Sequence, residues 1–259
     1  MSSIKDKDGV EYLWQGNPEY WSSQAPVLFP IVGAYVMMKL FIVLVVRPHF
    51  TGVIPRHGLV RKKTFTYEPL SENSLAFSIT PDAEMLANYP YDFELKIIYT
   101  LTGKTIKTSY QVTNRETEKA MPYFIGGHPG FNCPLLADEC YEDYYLEFGE
   151  ECYPDRIGHT EACFLSGENK RYPLEENRRL RLRHELFDED AIVLQSMADR
   201  VTLKTDQGSR KVTLYYPQLP YLGIWHVPKT TATLMYCVEP WTSLPSRRGD
   251  YRRYPVNRI

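Results

Sequence analysis

Apolar and polar residues alternate with a period of two over several segments of the chain, which is the period of a β-strand with one buried face. Residues 93–99 show this pattern, and residues 106–112 repeat it after a short link that contains Gly103. A glycine in so short a link is typical of a tight hairpin, so these segments predict an antiparallel strand pair. Residues 201–205 and 212–216, joined by a turn at 206–209, predict a second pair.

The predicted fold class is all-β, because no segment shows a convincing helical period over more than three turns. Strands joined by Gly- and Asn-containing turns favour an antiparallel sandwich over β-α-β units. Residues 188–197 fit a short helix or a further strand equally well. With 259 residues, 43% hydrophobic and 24% charged, the chain is expected to form one globular domain over residues 1–259.

Charge and cysteine content limit the classes of partner. A net charge of −2 offers no basic field for a polyanion, so we expect no nucleic-acid partner and a small-molecule ligand instead. The polar N-terminal segment predicts no export signal, so we expect a cytoplasmic protein. We also expect a monomer or a weak dimer. The cysteines are odd in number and lack C-x-x-C spacing, which predicts reduced thiols without a zinc site or disulfide framework. They are Cys133, Cys140, Cys152, Cys163 and Cys237.

Residues 27–46 form an apolar run whose only charge is Lys39, and its length approaches that of a membrane span. Pro30 and Gly33 interrupt the run, and its β-branched residues also suit buried strands. We therefore expect no membrane partner, with a membrane-attached protein as the alternative.

His128 stands in the segment Gly126-Gly127-His128-Pro129-Gly130, after residues 123–125, which are predicted to form a strand. Glycine and proline on both sides leave the imidazole few rotamers and an open face, which suits a general acid near neutral pH. The alternative is a histidine that only caps a turn.

Glu239 continues an apolar row, because alternation places Thr233, Met235 and Cys237 on its face and Leu234, Tyr236 and Val238 on the other. A buried carboxylate is costly, so we expect desolvation to raise the pKa of Glu239. Pro240 is predicted to end the strand ladder, and Trp241 to offer a flat apolar surface to a sugar ring. The alternative is a structural ion pair.

The pair His57-Gly58, followed by Arg61, would add a second imidazole and a planar cation that binds hydroxyls, carboxylates or phosphates. Alone this motif is weak, because a His-Gly turn is common.

His57, His128 and Glu239 could also form a metal site, but the usual ligand spacings are missing, so no metal is expected. The remaining histidines are interpreted as structural or solvated; they are His49, His159, His184 and His226.

Together these motifs resemble, in their order along the chain, the LacX-like branch of the aldose 1-epimerase (galactose mutarotase) family. The segments that carry the resemblance are residues 12–18, residues 25–33, His57-Gly58, residues 126–134 and Glu239-Pro240-Trp241. The resemblance implies a galactose-mutarotase-like antiparallel β-supersandwich that uses no cofactor. It also implies a free or phosphorylated hexose as the substrate.

The resemblance further implies roles for individual residues. His128 matches the family's general acid, Glu239 its general base and His57 a substrate-orienting histidine. Arg61 looks like the arginine that hexose-6-phosphate mutarotases hold near the phosphate, and Asn132 and Trp241 are expected to contact the sugar. Residues 34–53 depart from the family pattern, and relatives continue through at least one more strand after the position of Asp250.

The activity that follows is the interconversion of the α and β anomers of a hexose by proton transfer at C1 and the ring oxygen. We expect His128 and Glu239 on facing walls of one cleft, with a pyranose ring between them. Two alternatives stay open: a mutarotase for a hexose 6-phosphate, and a carbohydrate-binding protein of the same fold without turnover.

Overall fold

The structure is a computed structural model that describes residues 1–33, 54–160, 163–230 and 235–245. Several sequence predictions lie outside these residues. They concern the departing segment 34–53, His49, most of the apolar run 27–46, Thr233 and Leu234 on the Glu239 strand, and the C-terminal region after residue 245.

Among the described residues, sixteen strands form three sheets, and every ladder between them is antiparallel. This confirms the all-β fold class. The largest sheet has eight strands, namely β1 (Val27–Leu28), β6 (Gly126–Gly127), β7 (Gly130–Asn132), β9 (Asp155–Arg156), β10 (Lys170–Arg171), β12 (Ile192–Gln195), β15 (Tyr221–Trp225) and β16 (Met235–Trp241). β16 is central, because it pairs with β6, β7 and β15.

The other two sheets have four strands each. One contains β8 (Tyr144–Phe148), β11 (Arg179–Arg181), β13 (Arg200–Thr205) and β14 (Lys211–Tyr215), and the other contains β2 (Thr66–Ser71), β3 (Ser74–Ile79), β4 (Phe93–Thr102) and β5 (Thr105–Asn114). The described helical elements are α1 (Ala83–Asn88) and the 3₁₀ turns Tyr141–Asp143 and His184–Phe187.

The main core lies between the eight-stranded sheet and the β8 sheet. Fully buried Leu222, Ile224 and Val238 from the first sheet pack with Leu146 and Leu203 from the second. A second core lies beneath the β4 sheet, where Phe93, Leu95 and Ile97 meet residues from the start of the chain. Burial of these apolar faces is the main term that stabilises the sandwich.

Both predicted hairpins are confirmed. β4 and β5 pair from Phe93 with Asn114 to Thr102 with Thr105, and Gly103 in the turn has φ +57°. β13 and β14 pair as expected, with Val201 and Leu203 fully buried. The segment that fitted either a helix or a strand contains strand β12, which lies between β9 and β15.

Two local predictions are wrong. Residues 123–125 form no strand; the ladder begins at Gly126, and irregular bonds hold the preceding backbone, including that from Ile125 N to Thr242 Oγ1 at 2.9 Å. Pro240 does not end its ladder, since β16 continues to Trp241. The backbone N–H of Val238 donates to Pro129, so the nitrogen of Pro240, two residues later in the strand, points to the same side. On that side the neighbouring chain leaves the sheet between β6 and β7, so the missing N–H of Pro240 breaks no ladder bond.

No described helix is long and apolar enough to cross a membrane.

Candidate active site

The candidate site lies on the face of the eight-stranded sheet that points away from the main core. On β16, Tyr236 and Val238 belong to the main core, whereas Met235 and Cys237 face the opposite side among tryptophan side chains. Glu239 follows on that second face and is 2% exposed. The alternation inferred from the sequence therefore places a carboxylate on an otherwise apolar surface.

His128 lies between β6 and β7, at the point where the neighbouring chain departs from β16. Its backbone N–H donates to the carbonyl of Pro26 at 3.0 Å. Gly126 and Gly130 flank this turn, and a Cβ on Gly130 would lie 2.8 Å from the Trp21 ring. Small residues are therefore needed here to seat the imidazole under the aromatic side chains.

His128 and Glu239 are in direct contact, with Nε2 of His128 3.3 Å from Oε1 of Glu239. The expectation that a pyranose ring fits between them is therefore wrong. The chemistry does not need that spacing, because the ring oxygen and the anomeric hydroxyl of a pyranose are both bonded to C1. An acid and a base side by side can reach both oxygens from one direction.

Burial shapes the protonation of this pair. Desolvation raises the pKa of Glu239 to about 8, against the opposing charges of Arg56 and Arg61. Desolvation, followed by the neighbouring His57 and Arg61, lowers the pKa of His128. Both shifts favour neutral side chains, whereas the short contact favours an imidazolium facing a carboxylate. The two forms differ only in which partner holds a single proton, so we treat the pair as one coupled unit.

His57 is held by a backbone turn that requires the following glycine. His57 has φ +70° and Gly58 has φ +88°, and a Cβ on Gly58 would lie 2.0 Å from the carbonyl oxygen of Phe29. The backbone N–H of Gly33 donates to Nδ1 of His57 at 3.2 Å, and the N–H of His57 donates to the carbonyl of Gly33 at 3.0 Å. This reciprocal pair fixes the ring next to His128, with ring centroids 5.4 Å apart.

The same contacts set the charge of His57. Burial, followed by the charges of Arg56 and Arg61, lowers the pKa of His57 to about 3. A neutral imidazole that accepts at Nδ1 carries its proton on Nε2. His57 can therefore donate a hydrogen bond to a ligand hydroxyl, and it cannot act as the general acid near neutral pH.

Two tryptophans that sequence reasoning missed flank His128. The Trp21 ring stacks on the imidazole with centroids 4.9 Å apart, and Trp225 meets it edge-on at 6.1 Å. Both side chains are partly exposed. Trp225 is the register partner of Cys237, and its position in an apolar strand was a sequence signal that could have identified it as a site residue. Trp21 lies in an irregular segment, where periodicity carries no signal.

A cavity of about 80 Å³ opens beside the pair and is lined by Arg56, His57, His159, Asp190 and Trp241, among others. Arg56 and Asp190, also missed from the sequence, face each other at 3.6 Å with partly exposed side chains. They offer this cavity a donor and an acceptor for hydroxyl groups.

Two of the histidines interpreted as structural differ in their distance from the site. His159 lines the cavity, whereas His226 is fully buried and hydrogen-bonded to the carbonyl of Met235 at 2.9 Å.

Trp241 does not present the flat exposed surface that we expected. It is 4% exposed, and its ring lies between Gly126 and Gly223, where a Cβ would approach it to 2.6 Å and 2.8 Å. Only part of the side chain borders the cavity. The reason is that β16 continues past Pro240, which turns Trp241 into the sheet surface.

Arg61 lies near the pair, and it has no acidic partner among the described residues. Its Nη2 donates to Ser23 Oγ at 3.4 Å, its Nε is buried without a hydrogen bond, and no described carboxylate lies within ion-pair distance.

The side chain of Asn132 holds the backbone of a neighbouring segment. Its amide donates to the carbonyl of Glu11 at 2.9 Å, and this hydrogen bond gives no support to the expected contact of Asn132 with the sugar.

The antiparallel supersandwich, with buried Glu239 on the outer face of its central strand and buried His128 in the adjoining turn, defines a protein with the galactose-mutarotase-like fold. The chain belongs to the aldose 1-epimerase family, whose model matches residues 1–248. It is 48% identical over 246 residues to the plasmid-encoded protein LacX of Lactococcus lactis subsp. lactis, covering 94% of this chain and 82% of that protein. The chromosomal LacX of the same organism matches equally well.

Solved structures agree on the fold. A galactose mutarotase-related enzyme from Lactobacillus acidophilus superimposes with a TM-score of 0.87 at 28% identity, covering 100% of this chain and 85% of that one. A galactose mutarotase-like protein from Lactobacillus casei gives a TM-score of 0.82 at 30% identity, covering 96% and 83%.

Proposed function

We propose that the protein is a mutarotase that interconverts the α and β anomers of a hexose, with His128 and Glu239 as its acid–base pair. The observation that carries the proposal is the contact of 3.3 Å between these two buried side chains, beside a cavity with hydroxyl-binding groups. Membership of the aldose 1-epimerase family supports a sugar as the substrate and isomerisation as the reaction.

Ring opening begins when Glu239, as carboxylate, removes the proton of the C1 hydroxyl and His128, as imidazolium, delivers a proton to the ring oxygen. The C1–O5 bond breaks and the open aldehyde forms. After rotation about the C1–C2 bond, the two groups exchange roles, and the C5 hydroxyl attacks the other face of C1. The pair starts and ends with one proton.

The surroundings strengthen both groups for the ring-opening step. Burial moves the pKa of Glu239 up to about 8, which makes its carboxylate a stronger base, and moves the pKa of His128 down, which makes its imidazolium a stronger acid. His57 donates from Nε2 to a sugar hydroxyl, and Trp21 covers His128 and limits access of water.

The test is polarimetry of freshly dissolved α-D-galactose and α-D-glucose with the purified protein, measured against the buffer-catalysed rate. We expect the approach to the equilibrium rotation to be accelerated in proportion to protein concentration. Sugar binding without acceleration would identify a carbohydrate-binding protein of the same fold instead.

A specific observation also favours a phosphorylated hexose as the substrate. The Nε of Arg61 is buried and has no partner in the described part of the chain, and Arg61 lines a second cavity of about 300 Å³ together with Lys63. Lys63 is already paired with Asp82 and Glu84, at 2.8 Å and 2.6 Å, whereas Arg61 has no described acidic partner. A guanidinium in this state can offer parallel charge-assisted bonds to a phosphate.

A comparison of kcat/KM for glucose 6-phosphate, galactose 6-phosphate and the free hexoses decides between the two substrate classes. A preference for the phosphorylated sugars supports the second candidate. Equal values for free and phosphorylated sugars contradict it.

A further inference from the structure

The face of β16 that carries Glu239 also carries a thiol that the proposed reaction does not use. Cys237 lies two residues before Glu239 and is fully buried. It is the register partner of Gly130 on β7, and Val238 N donates to Pro129 O at 3.3 Å. This register brings the turn that contains His128 beside both side chains.

The three side chains converge closely. One ligand atom each from His128, Cys237 and Glu239 all lie within 4.8 Å of one another. In a tetrahedral zinc site, bonds of about 2.0–2.3 Å place the ligand atoms roughly 3.3–3.8 Å apart. Rotamer adjustments of about 1 Å would therefore bring the three atoms to binding distance around one ion.

The donor set is one that zinc prefers. Imidazole, thiolate and carboxylate are its usual protein ligands. Among the described residues, the Cys237 thiol makes only a weak contact, 3.6 Å to Met235 Sδ, so it can bind a ligand without breaking a strong interaction. Nε2 of His128 is the nitrogen that faces Glu239, and a bound ion would replace their contact of 3.3 Å with two metal–ligand bonds.

The charges around the cluster permit a divalent cation. A bound cation would be balanced by the thiolate and the carboxylate, with a neutral imidazole as the third ligand. Arg56 is compensated by Asp190 at 3.6 Å, and the neighbouring His57 is uncharged near neutral pH. Of the cations in the described ranges, Arg61 is the remaining one nearby, and it donates one hydrogen bond to the Ser23 hydroxyl.

We infer that Zn²⁺ binds to His128, Cys237 and Glu239 and competes with the sugar. The ion would occupy the lone pairs that proton transfer requires, so it acts as an inhibitor and not as a cofactor. The inhibition rests on the proposed mutarotase function. The binding itself does not, because it can be followed without any substrate.

The binding test uses Co²⁺ as a spectroscopic probe on the chelator-treated full chain. We expect one bound ion per chain with a thiolate-to-cobalt charge-transfer band, and loss of that band in Cys237→Ser. Cys163→Ser is the matched control, because Cys163 lies at the neighbouring cavity and should leave the band unchanged. Binding of one ion without a thiolate band in the unmodified chain would overturn the site even if Cys237→Ser failed to fold.

The activity test measures mutarotation against ZnCl₂ concentration, with reversal by EDTA. Zn²⁺ should raise the apparent KM for the sugar, and Cys237→Ser should keep its activity while the inhibition constant rises at least about tenfold, since changes around metal ligands cost on that scale. Unchanged inhibition in Cys237→Ser, or its loss in Cys163→Ser, would contradict the proposal. If the chain has no mutarotase activity, the proposed function fails while the cobalt spectrum still decides the metal site.

Discussion

Gly223 on β15 is the register partner of Glu239 on β16, and it leaves the space that the carboxylate and Trp241 occupy. A Cβ at Gly223 would lie 3.2 Å from the Cβ of Glu239 and 2.8 Å from Cζ2 of Trp241. The Trp241 ring cannot retreat freely, because Gly126 and Val32 close its other edge. The absence of a side chain at position 223 therefore contributes to the position of the candidate base.

We predict that Gly223→Ala lowers kcat for mutarotation by at least about tenfold, because proton transfer is sensitive to misplacement on the ångström scale. Thermal unfolding should show a moderate loss of stability, about 1–3 kcal/mol for overpacking. Gly103→Ala is the control: its Cβ meets nothing within 4 Å, but its φ is +57°. It should cost about 1 kcal/mol of stability and leave kcat unchanged. An unaltered kcat in Gly223→Ala would show that the site tolerates the shift.

His128→Ala and Glu239→Gln should each reduce kcat by at least about a hundredfold, with a much smaller effect on sugar binding. Because the two side chains share one proton across 3.3 Å, the double variant should be little worse than either single one. Steady-state polarimetry and calorimetric binding provide the two readouts. Multiplicative losses in the double variant would mean that the residues act independently, and near-full activity in either single variant would remove that residue from the mechanism.

Arg61→Ala should raise KM for a hexose 6-phosphate about ten- to a hundredfold, as expected for a charge-assisted bond of roughly 1.5–3 kcal/mol. KM for the free hexose should stay nearly constant. Lys62→Ala removes an exposed neighbouring cation and serves as the control. Equal losses on both sugars would place Arg61 at the ring or in the fold, and no loss on either would mean that it contacts neither.

The stability of the protein should decrease in acid partly because His57 is buried in its neutral form. Its pKa is about 3 in the fold against 6.5 for a free side chain, so unfolding takes up a proton below pH 6.5. The stability from neutral His57 is complete above pH 6.5 and is lost as the pH falls towards 3. Between pH 6.5 and pH 5 the loss should be about 1–2 kcal/mol.

His57→Asn should flatten this part of the stability profile, as measured by thermal unfolding across the pH range. Asparagine tolerates the positive φ at this position, and its side-chain oxygen can accept the Gly33 N–H. Gly103→Ala changes no titratable group and should keep the slope of the unmodified chain. The same acid slope in His57→Asn would show that His57 does not cause it.

The strand pattern of the sandwich was predictable where it depends on neighbours along the chain. The alternation in residues 93–99, together with Gly103, identified the β4–β5 hairpin. Alternation also identified the buried face that carries Glu239, and desolvation implied the direction of its pKa shift. One error arose at residues 123–125, where the backbone makes irregular hydrogen bonds instead of a ladder. The other arose at Pro240, which lacks an N–H but faces a position where the sheet has no described neighbouring strand.

Sequence alone thus determined the fold class, the family and the identity of the candidate acid and base, because strand period and turn residues are local properties and the motifs recur in order. Only the tertiary structure decided that His128 touches Glu239, that Trp21 covers the imidazole and that Arg61 has no described acidic partner. These relationships depend on how β6 and β7 register against β16 and on how distant segments pack over that face. Register is a collective result of burying many side chains together, and no local pattern records it.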